Sequence, residues 1–221
     1  FSDSSNFGYS AICDGENCPI SGYIGRVGNT IHMLESDPLR VPTSAKTISL
    51  VHNQPFTLSA WVKNEGNGII FSKWNADPSS SQEVVFSLVD GYPNLTGVQG
   101  TATSSSAMPY NTWSHVAVTF DGSQVTFYIN GVATGCANGC AWQNDPAFAP
   151  DYDPAEIAIG GVQNGTSGQN FKGYLDEVGL FTHALTASEI QERLMPANYN
   201  FNDSFVRPGE VINYQSVVTN L

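Results

Sequence analysis

The chain has 221 residues, of which 41% are hydrophobic, so it is long enough to bury the core of one large β domain or two small ones. Its 20 Asp and Glu residues outweigh 8 Lys and Arg, and the formal net charge of -12 argues against nucleic acid and anionic membranes as partners. The 21 glycines and 12 prolines, with many Ser, Thr and Asn residues, favour strands joined by turns and predict an all-β fold.

The sequence contains no run approaching the roughly 20 apolar residues that a membrane span needs. Residues 1–6, which read Phe-Ser-Asp-Ser-Ser-Asn, do not resemble a signal peptide. We therefore expect the chain to be a mature or excised piece.

The four cysteines form two local couples, Cys13 with Cys18 and Cys136 with Cys140, in loops rich in Gly, Asn and Asp. Three pairings are formally possible, and closing the two short loops is the simplest. The alternative is one four-cysteine zinc site, although such sites normally have two-residue spacings within each couple. Two local disulfides predict a protein outside the reducing cytosol.

Apolar alternation and turn signals predict strands along most of the chain. The Asp121-Gly122 turn predicts a hairpin, and the Gly-Asn-Gly sequence at 66–68 predicts that the strand after it pairs with the strand before it. Residues 20–28 are predicted to be an irregular connection. The predicted strands are 29–34, 56–63, 69–74, 83–89, 113–120, 125–131, 157–161 and 173–181. Short strands at such regular spacing are typical of a sandwich or jelly roll.

The last predicted strand places a carboxylate, Asp176, within an apolar run. Strict alternation would put Tyr174, Asp176, Val178 and Leu180 on one face. A carboxylate among packed neighbours needs hydrogen bonds, a charged partner or a cation. Two interpretations remain open at this point: Asp176 is a metal ligand, or it accepts hydrogen bonds from a nearby loop.

The C-terminal region contains one predicted helix and one predicted strand. Thr186 and Glu189 form a capping-box pattern for a short helix that ends before Pro196. Residues 206–220 read as a single strand, which cannot be a domain by itself. We therefore predict a domain at 1–197 and, at 198–221, a linker with an isolated strand that starts a following domain or completes a sheet elsewhere.

Four segments in order resemble the laminin-G-like branch of the concanavalin A-like jelly rolls: 3–8, 56–62, 113–122 with 128–131, and 173–178 before 185–190. The resemblance spans residues 1 to about 195. It implies an all-β jelly-roll sandwich of two antiparallel sheets, with one short C-terminal helix.

The resemblance also implies a structural calcium. Asp176 would supply the carboxylate, and backbone carbonyls near Asp3, Asn6 and Ser36 would supply further oxygen ligands of the kind calcium prefers. At the second of these turns, the chain has Leu34 to Asp37 where the family usually has a glycine.

The tail at 206–220 resembles the first strand of the immunoglobulin-like repeats of large bacterial surface proteins. This implies either a module of a longer extracellular protein or a strand that pairs with a neighbouring subunit.

The best candidate for a ligand site is the long irregular stretch 135–156, in which aromatic and acidic residues alternate. Exposed aromatic rings can stack on sugar faces while polar side chains position hydroxyl groups. In the alternative interpretation, the aromatic residues only anchor a long loop. The candidate ligand-binding residues are Trp142, Asp151, Tyr152 and Asp153, with Trp74 from a neighbouring loop.

Catalytic patterns are missing from the sequence. The glucanase relatives carry a Glu-x-Asp-x-Glu strand that is not found here, and no Gly-x-Ser-x-Gly, His-Glu-x-x-His or phosphate-loop pattern occurs. We predict a non-catalytic, secreted or cell-surface module for recognition or adhesion that binds a glycan or a protein surface. The alternative is a structural subunit or spacer whose C-terminal strand pairs with a neighbour, and a polysaccharide-cleaving enzyme is the least favoured.

Overall fold

A computed structural model describes residues 9–34, 37–41, 48–50, 52–77, 82–144 and 155–194. Two antiparallel sheets and one short helix, α1 (Ala187–Glu192), form a sandwich, which confirms the predicted fold. The strands are β1 (Ile20–Ile24), β2 (Asn29–Leu34), β3 (Leu39–Val41), β4 (Phe56–Asn64), β5 (Gly68–Trp74), β6 (Gln82–Val89), β7 (Tyr92–Gly97), β8 (Gly100–Thr103), β9 (Trp113–Phe120), β10 (Val125–Ile129), β11 (Val132–Thr134), β12 (Ile157–Ile159) and β13 (Lys172–Phe181).

The chain passes between the two sheets several times along its length. One sheet has seven strands in the order β1-β2-β13-β4-β9-β10-β11, and the other has six in the order β3-β12-β5-β6-β7-β8. The predicted β9–β10 hairpin is confirmed. The predicted pairing of β4 with β5 is wrong, because β4 pairs with β9 and β13 whereas β5 pairs with β6 and β12.

The turn between β4 and β5 therefore carries the chain from one sheet to the other. Gly68 has a φ of 138°, and a side chain there would collide with the backbone of Asn170 and Phe171. Only glycine accommodates both the backbone angle and the close approach. A Gly-Asn-Gly sequence consequently marks a crossover here, although it resembles a hairpin turn in the sequence.

Five strands were missed in the sequence: β1, β3, β7, β8 and β11. Strand β1 contains a bulge at Gly22, and β7 includes Pro93, Asn94 and Gly97, which are residues that strands usually disfavour. Tertiary pairing overrides these local preferences, since β7 lies between β6 and β8 with continuous antiparallel register.

The core lies between the two sheets and is built from the inward-facing residues of alternating strands. It is apolar and closely packed, and it includes side chains from both sheets, such as Phe120 of β9 and Phe86 of β6. Its fully buried large side chains include Met33, Leu39, Leu50, Phe56, Leu58, Ile70, Phe86, Leu88, Phe120, Phe127 and Phe171.

Strand β13 does not alternate throughout its length. Glu177 and Val178 together lie opposite Ala60 of β4, which is a β-bulge, and Glu177 has a φ of 48°. Val178 and Leu180 pack against the core, whereas Asp176 lies on the outer face of the seven-stranded sheet. The prediction that these three side chains share a face is therefore wrong, because the extra residue reverses the alternation.

Helix α1 covers one end of the outer face of the seven-stranded sheet. Ile190 and Leu185 are buried there against Ala117 and Tyr128. The Thr186 hydroxyl accepts a hydrogen bond from the Glu189 amide, and the Glu189 carboxylate accepts one from the Thr186 amide. The predicted capping box is confirmed.

Both local disulfides are present, and no described cysteine is free. The Cα atoms are 5.8 Å apart for Cys13 and Cys18, and 5.3 Å apart for Cys136 and Cys140. These separations are normal for disulfides. The structure thus supports the disulfide interpretation of the four cysteines over the zinc site.

The predicted tail strand at 206–220, and with it the boundary after residue 197, lies outside the described residues. Within the described ranges, helices long and apolar enough to cross a bilayer do not occur.

His115 on β9 gives the fold a predicted pH dependence. Burial, with a smaller contribution from the positive charge of Arg193, lowers its pKa from 6.5 to about 4. The folded state therefore keeps His115 neutral while the unfolded chain binds a proton below pH 6.5, so stability is complete above that pH. It should fall by about 3 kcal/mol as the pH drops from 6.5 towards 4.

Urea denaturation of the wild type and of His115→Gln between pH 7.5 and 4 measures this dependence. The free energy of unfolding of His115→Gln should depend much less on pH in that window. His183→Gln, at an exposed position, should keep the wild-type pH dependence. Equal slopes in the wild type and His115→Gln would contradict the assignment.

Candidate functional site

A row of four side chains crosses the outer face of the seven-stranded sheet. Tyr174 of β13 is paired with His32 of β2 on one side and with Lys63 of β4 on the other, and Lys63 is paired with Trp113 of β9. Directly paired residues of antiparallel strands point to the same face. Because the next residue, Leu175, is buried in the core, this row points outward.

The ring of Tyr174 is held between its two neighbours. The His32 imidazole stacks on it with 4.0 Å between ring centroids and 2° between planes, and Lys63 Nζ lies 5.0 Å from the Tyr174 centroid. Tyr23 of β1 contacts His32 and Tyr174 edge-on, at 5.3 and 5.6 Å. Stacking, edge-to-face and cation–π geometries of this kind fix ring orientations.

Next to this row is an open cavity of about 150 Å³, which we call the aromatic cavity. It is lined by Tyr23, Ile24, Lys63, Trp113 and Tyr174. Tyr174 and Lys63 come from the central strands and form its floor. Tyr23 and Ile24 form the wall on the β1 side, and Trp113 forms the wall on the β9 side. Ile24 is 91% exposed and Tyr23 is 41% exposed. Exposed apolar side chains grouped in this way mark interaction sites.

The polar groups of the cavity are hydrogen-bond donors. Partial burial, with a smaller contribution from the negative charge of the nearby Glu65 carboxylate, raises the pKa of Tyr174 above its ordinary value. The Glu65 carboxylate contacts His32 Nε2 at 3.3 Å, and the Glu65 carbonyl accepts a hydrogen bond from the exposed Tyr110 hydroxyl. The site therefore combines apolar walls with a Tyr hydroxyl and a Lys ammonium at its floor.

Trp142, the first of the sequence-predicted ligand residues, lies in the core and not at the aromatic cavity. Trp142 is only 6% exposed, its ring packs edge-on against Phe120 and Phe56, and its Nε1 donates a hydrogen bond to the Gly100 carbonyl. The prediction that Trp142 stacks on a ligand is wrong, because the core encloses its ring; it anchors the loop, as the alternative interpretation stated.

Of the other candidates, the structure describes only Trp74, which does not line the aromatic cavity. Trp74 is half-buried at the end of β5, in the six-stranded sheet. Asp151, Tyr152 and Asp153 lie outside the described residues, and their ligand role stays a prediction.

The aromatic cavity was missed in the sequence because its residues come from four strands far apart in the chain. Tyr174 and Trp113 were identified only as strand residues, and Tyr23 was assigned to a loop. The available signal was that Trp113 and Tyr174 occupy outward-facing positions on strands whose other face packs in the core. The register of β13 against β2 and β4, which brings them together, could not be read from periodicity.

The carboxylate of Asp176 is engaged by backbone amides. Its Oδ2 accepts hydrogen bonds from the amides of Arg26 at 2.6 Å and Val27 at 2.9 Å, and its Oδ1 accepts one from the Glu177 amide at 2.9 Å. A side chain at Gly25 would collide with the Asp176 carboxylate, so the close approach of this turn requires glycine at position 25. Asp176 therefore fixes the β1–β2 turn to β13, as the loop interpretation predicted.

These bonds limit how a cation could bind. Both lone pairs of Asp176 Oδ2 are used by N–H groups, and one acceptor position remains on Oδ1. The part of the chain that the structure describes contains no group of three or more acidic, His or Cys residues suited to a metal. The described residues thus fit a structural hydrogen-bond centre better than a metal centre. Asp3, Asn6 and Ser36 lie outside them, so calcium stays a prediction.

Thermal unfolding of the wild type and of Asp176→Ala, each with calcium and with a chelator, separates the two roles. We expect Asp176→Ala to lose about 2 kcal/mol or more even in chelator, because buried amides lose a charged acceptor. If calcium binds at Asp176, adding calcium should raise the melting temperature of the wild type but not that of Asp176→Ala. A wild-type melting temperature unaffected by calcium would contradict the metal prediction.

Residues 36–191 match the laminin-G-like family model of the concanavalin A-like lectin/glucanases superfamily. The chain belongs to this superfamily. A comparison of the concanavalin A-like domain with curated protein sequences found no match.

Among solved structures, the concanavalin A-like domain is similar to domain 4 of AbnA, a GH43 extracellular arabinanase from Geobacillus stearothermophilus, determined in complex with arabinotriose. The two are 25% identical with a TM-score of 0.60, and the match covers 88% of this chain and 92% of that one.

Two further structures share the fold alone. The binding domain of botulinum neurotoxin serotype G is 16% identical with a TM-score of 0.59, covering 87% of this chain and 47% of that one. Trypanosoma rangeli sialidase is 17% identical with a TM-score of 0.54, covering 79% and 28%. The chain thus spans less than half the length of either protein.

Proposed function

We propose that this domain is a non-catalytic carbohydrate-binding module and that the aromatic cavity is its binding site. The observation that carries the proposal is the outward-facing cavity with aromatic walls and donor groups at its floor. The similarity to an arabinanase domain determined with arabinotriose supports the same class of ligand.

The geometry of the cavity suits a saccharide. The apolar C–H face of a sugar ring can lie against the Trp113 indole or the Tyr23 ring, as aromatic platforms require. The Tyr174 hydroxyl and Lys63 Nζ can then donate hydrogen bonds to oxygen atoms on the edge of the sugar. His32 holds Tyr174 in place by stacking, so the floor is ordered before the ligand arrives.

The non-catalytic assignment is supported by the distribution of carboxylates. Glycoside hydrolysis normally needs two carboxylates flanking the bond, about 5 to 10 Å apart. The aromatic cavity is lined by no carboxylate among the described residues. Glu65, which lies nearby, contacts His32 instead.

Two further features belong to this proposal. The two disulfides support an extracellular location, since such bonds persist in oxidising compartments. A structural calcium remains part of it, through Asp176 and the N-terminal residues. A role as a spacer whose tail at 206–220 pairs with a neighbour stays a prediction.

Isothermal titration calorimetry with arabinotriose, followed by a panel of plant and animal oligosaccharides, tests the proposal. We expect Trp113→Ala to weaken binding about thirtyfold, because truncating an aromatic anchor typically costs about 2 kcal/mol or more. Tyr23→Ala should weaken binding in the same direction.

Trp74→Ala is the matched control, because Trp74 lies in the other sheet and its removal should leave binding unchanged. Binding that survives Trp113→Ala, or that is lost in Trp74→Ala, would place the ligand elsewhere. If no saccharide of the panel binds, the proposed function is wrong.

A further inference from the structure

The aromatic cavity contains a charged group that a neutral sugar would not require. Of its five lining residues, Lys63 alone carries a formal charge. The ammonium lies 5.0 Å from the centroid of Tyr174, and within the described chain no carboxylate oxygen lies within 4.0 Å of it. A cation is unexpected here on a chain with 20 acidic residues and 8 Lys and Arg.

The carboxylate nearest to this region is already engaged. Glu65 contacts His32 Nε2 at 3.3 Å, and the register places His32 and Lys63 on opposite sides of Tyr174. The side of Lys63 that faces Trp113 is thus the side away from His32. An anionic group that enters along Trp113 therefore reaches Lys63 from the side opposite to the Glu65–His32 contact.

The aromatic walls favour the binding of an anion at Lys63. They partly shield the ammonium from water, and a charge-assisted hydrogen bond is about twice as strong as a neutral one. The cation–π contact with Tyr174 orients the ammonium but does not neutralise it. The remaining N–H donors can reach a ligand carboxylate in the cavity.

We infer that the aromatic cavity selects acidic saccharides, with Lys63 pairing with the carboxylate of a uronic or sialic acid residue. The inference rests on the proposed function and adds the class of sugar to it. Trp113 supplies the stacking surface, and Lys63 is the residue that determines specificity.

Matched pairs of saccharides test the inference directly. Trigalacturonate, a hyaluronan tetrasaccharide and sialyllactose are each compared with their methyl esters, which keep the sugar skeleton and remove the charge. At least one acid should bind about tenfold more tightly than its ester, since a charged hydrogen bond contributes about 1.5 to 3 kcal/mol. The preference should weaken as salt rises.

Lys63→Gln should bring the affinities for the acid and its ester to nearly the same value, because the Gln amide keeps N–H donors but carries no charge, and Lys63→Arg should retain part of the preference for the acid. Lys172→Gln, which removes an exposed charge from β13 outside the cavity, should keep the full preference. Melting temperatures of all three variants show whether each is folded.

The two levels of proposal fail differently. If a neutral sugar binds in a Trp113-dependent manner and no acid binds better than its ester, the carbohydrate-binding function stands and the acidic specificity is wrong. If Lys63→Gln weakens acid and ester equally, Lys63 is a general contact and the inference is overturned. If neither acids, esters nor the neutral panel bind, both proposals are wrong.

Discussion

Replacing Lys73 with Met should lower the free energy of unfolding by about 3–5 kcal/mol, because it removes the ammonium that pairs with the buried Glu83 carboxylate. The Lys73 side chain is 0% exposed, its ammonium donates to the Glu83 carboxylate, and it also donates to the Ala155 carbonyl at 3.2 Å. Glu83 in turn accepts a hydrogen bond from the Leu50 amide at 2.7 Å. One ion pair thus connects β5 and β6 to two separate loops.

Urea denaturation measures this loss, and Lys172→Met is the matched control, because Lys172 is exposed on β13 and should change stability by less than about 0.5 kcal/mol. The double variant Lys73→Met/Glu83→Gln should be more stable than the sum of the two single losses predicts, since it removes both charges. A loss below about 1 kcal/mol in Lys73→Met would mean that water already hydrates the pair.

Trp142→Ala should destabilise the fold by about 3–5 kcal/mol, the usual cost of truncating a buried Trp. The substitution would empty the space beside Phe120, whose ring lies edge-on at 4.9 Å, and would remove the hydrogen bond to the Gly100 carbonyl. The substitution should leave the aromatic cavity intact, because Trp142 packs in the core and not on the outer sheet face.

Trp113→Ala supplies the contrast in the same experiment. Its indole is half-buried on the outer face, so its removal should cost about 1 kcal/mol or less in stability while abolishing most saccharide binding. Thermal unfolding and calorimetric binding of both variants should therefore show opposite patterns. A Trp142→Ala protein of wild-type stability, or one that fails to bind saccharide while folded, would contradict the assignment.

The strands with strong apolar patterns were predictable because one face of each packs in the core, although the outer faces of β4 and β9 are largely buried as well. Phe56 to Val62 and Trp113 to Phe120 alternate clearly, and both strands form as predicted. What periodicity could not supply was pairing. Strand β4 pairs with β13 and β9, which are distant in the sequence, whereas the next strand, β5, belongs to the other sheet.

The site was less predictable than the fold for two physical reasons. Trp142 was interpreted as exposed because its loop has few apolar neighbours in sequence, yet Phe56 and Phe120 enclose it from distant strands. Tyr174 and Trp113 form a site only through the cross-strand register around Lys63. Asp176 was identified correctly as needing partners, but its partners in the β1–β2 turn came from a segment interpreted as irregular.

The most direct test of the aromatic cavity uses the four Trp indole N–H signals in an NMR titration with the tightest-binding saccharide. The variants Trp61→Phe, Trp74→Phe, Trp113→Phe and Trp142→Phe assign the signals. We expect the Trp113 signal to shift in proportion to saturation, while the signals of Trp74 and Trp142 stay in place. A shift confined to Trp74 or Trp142, with Trp113 unchanged, would contradict binding at this face of the sheet.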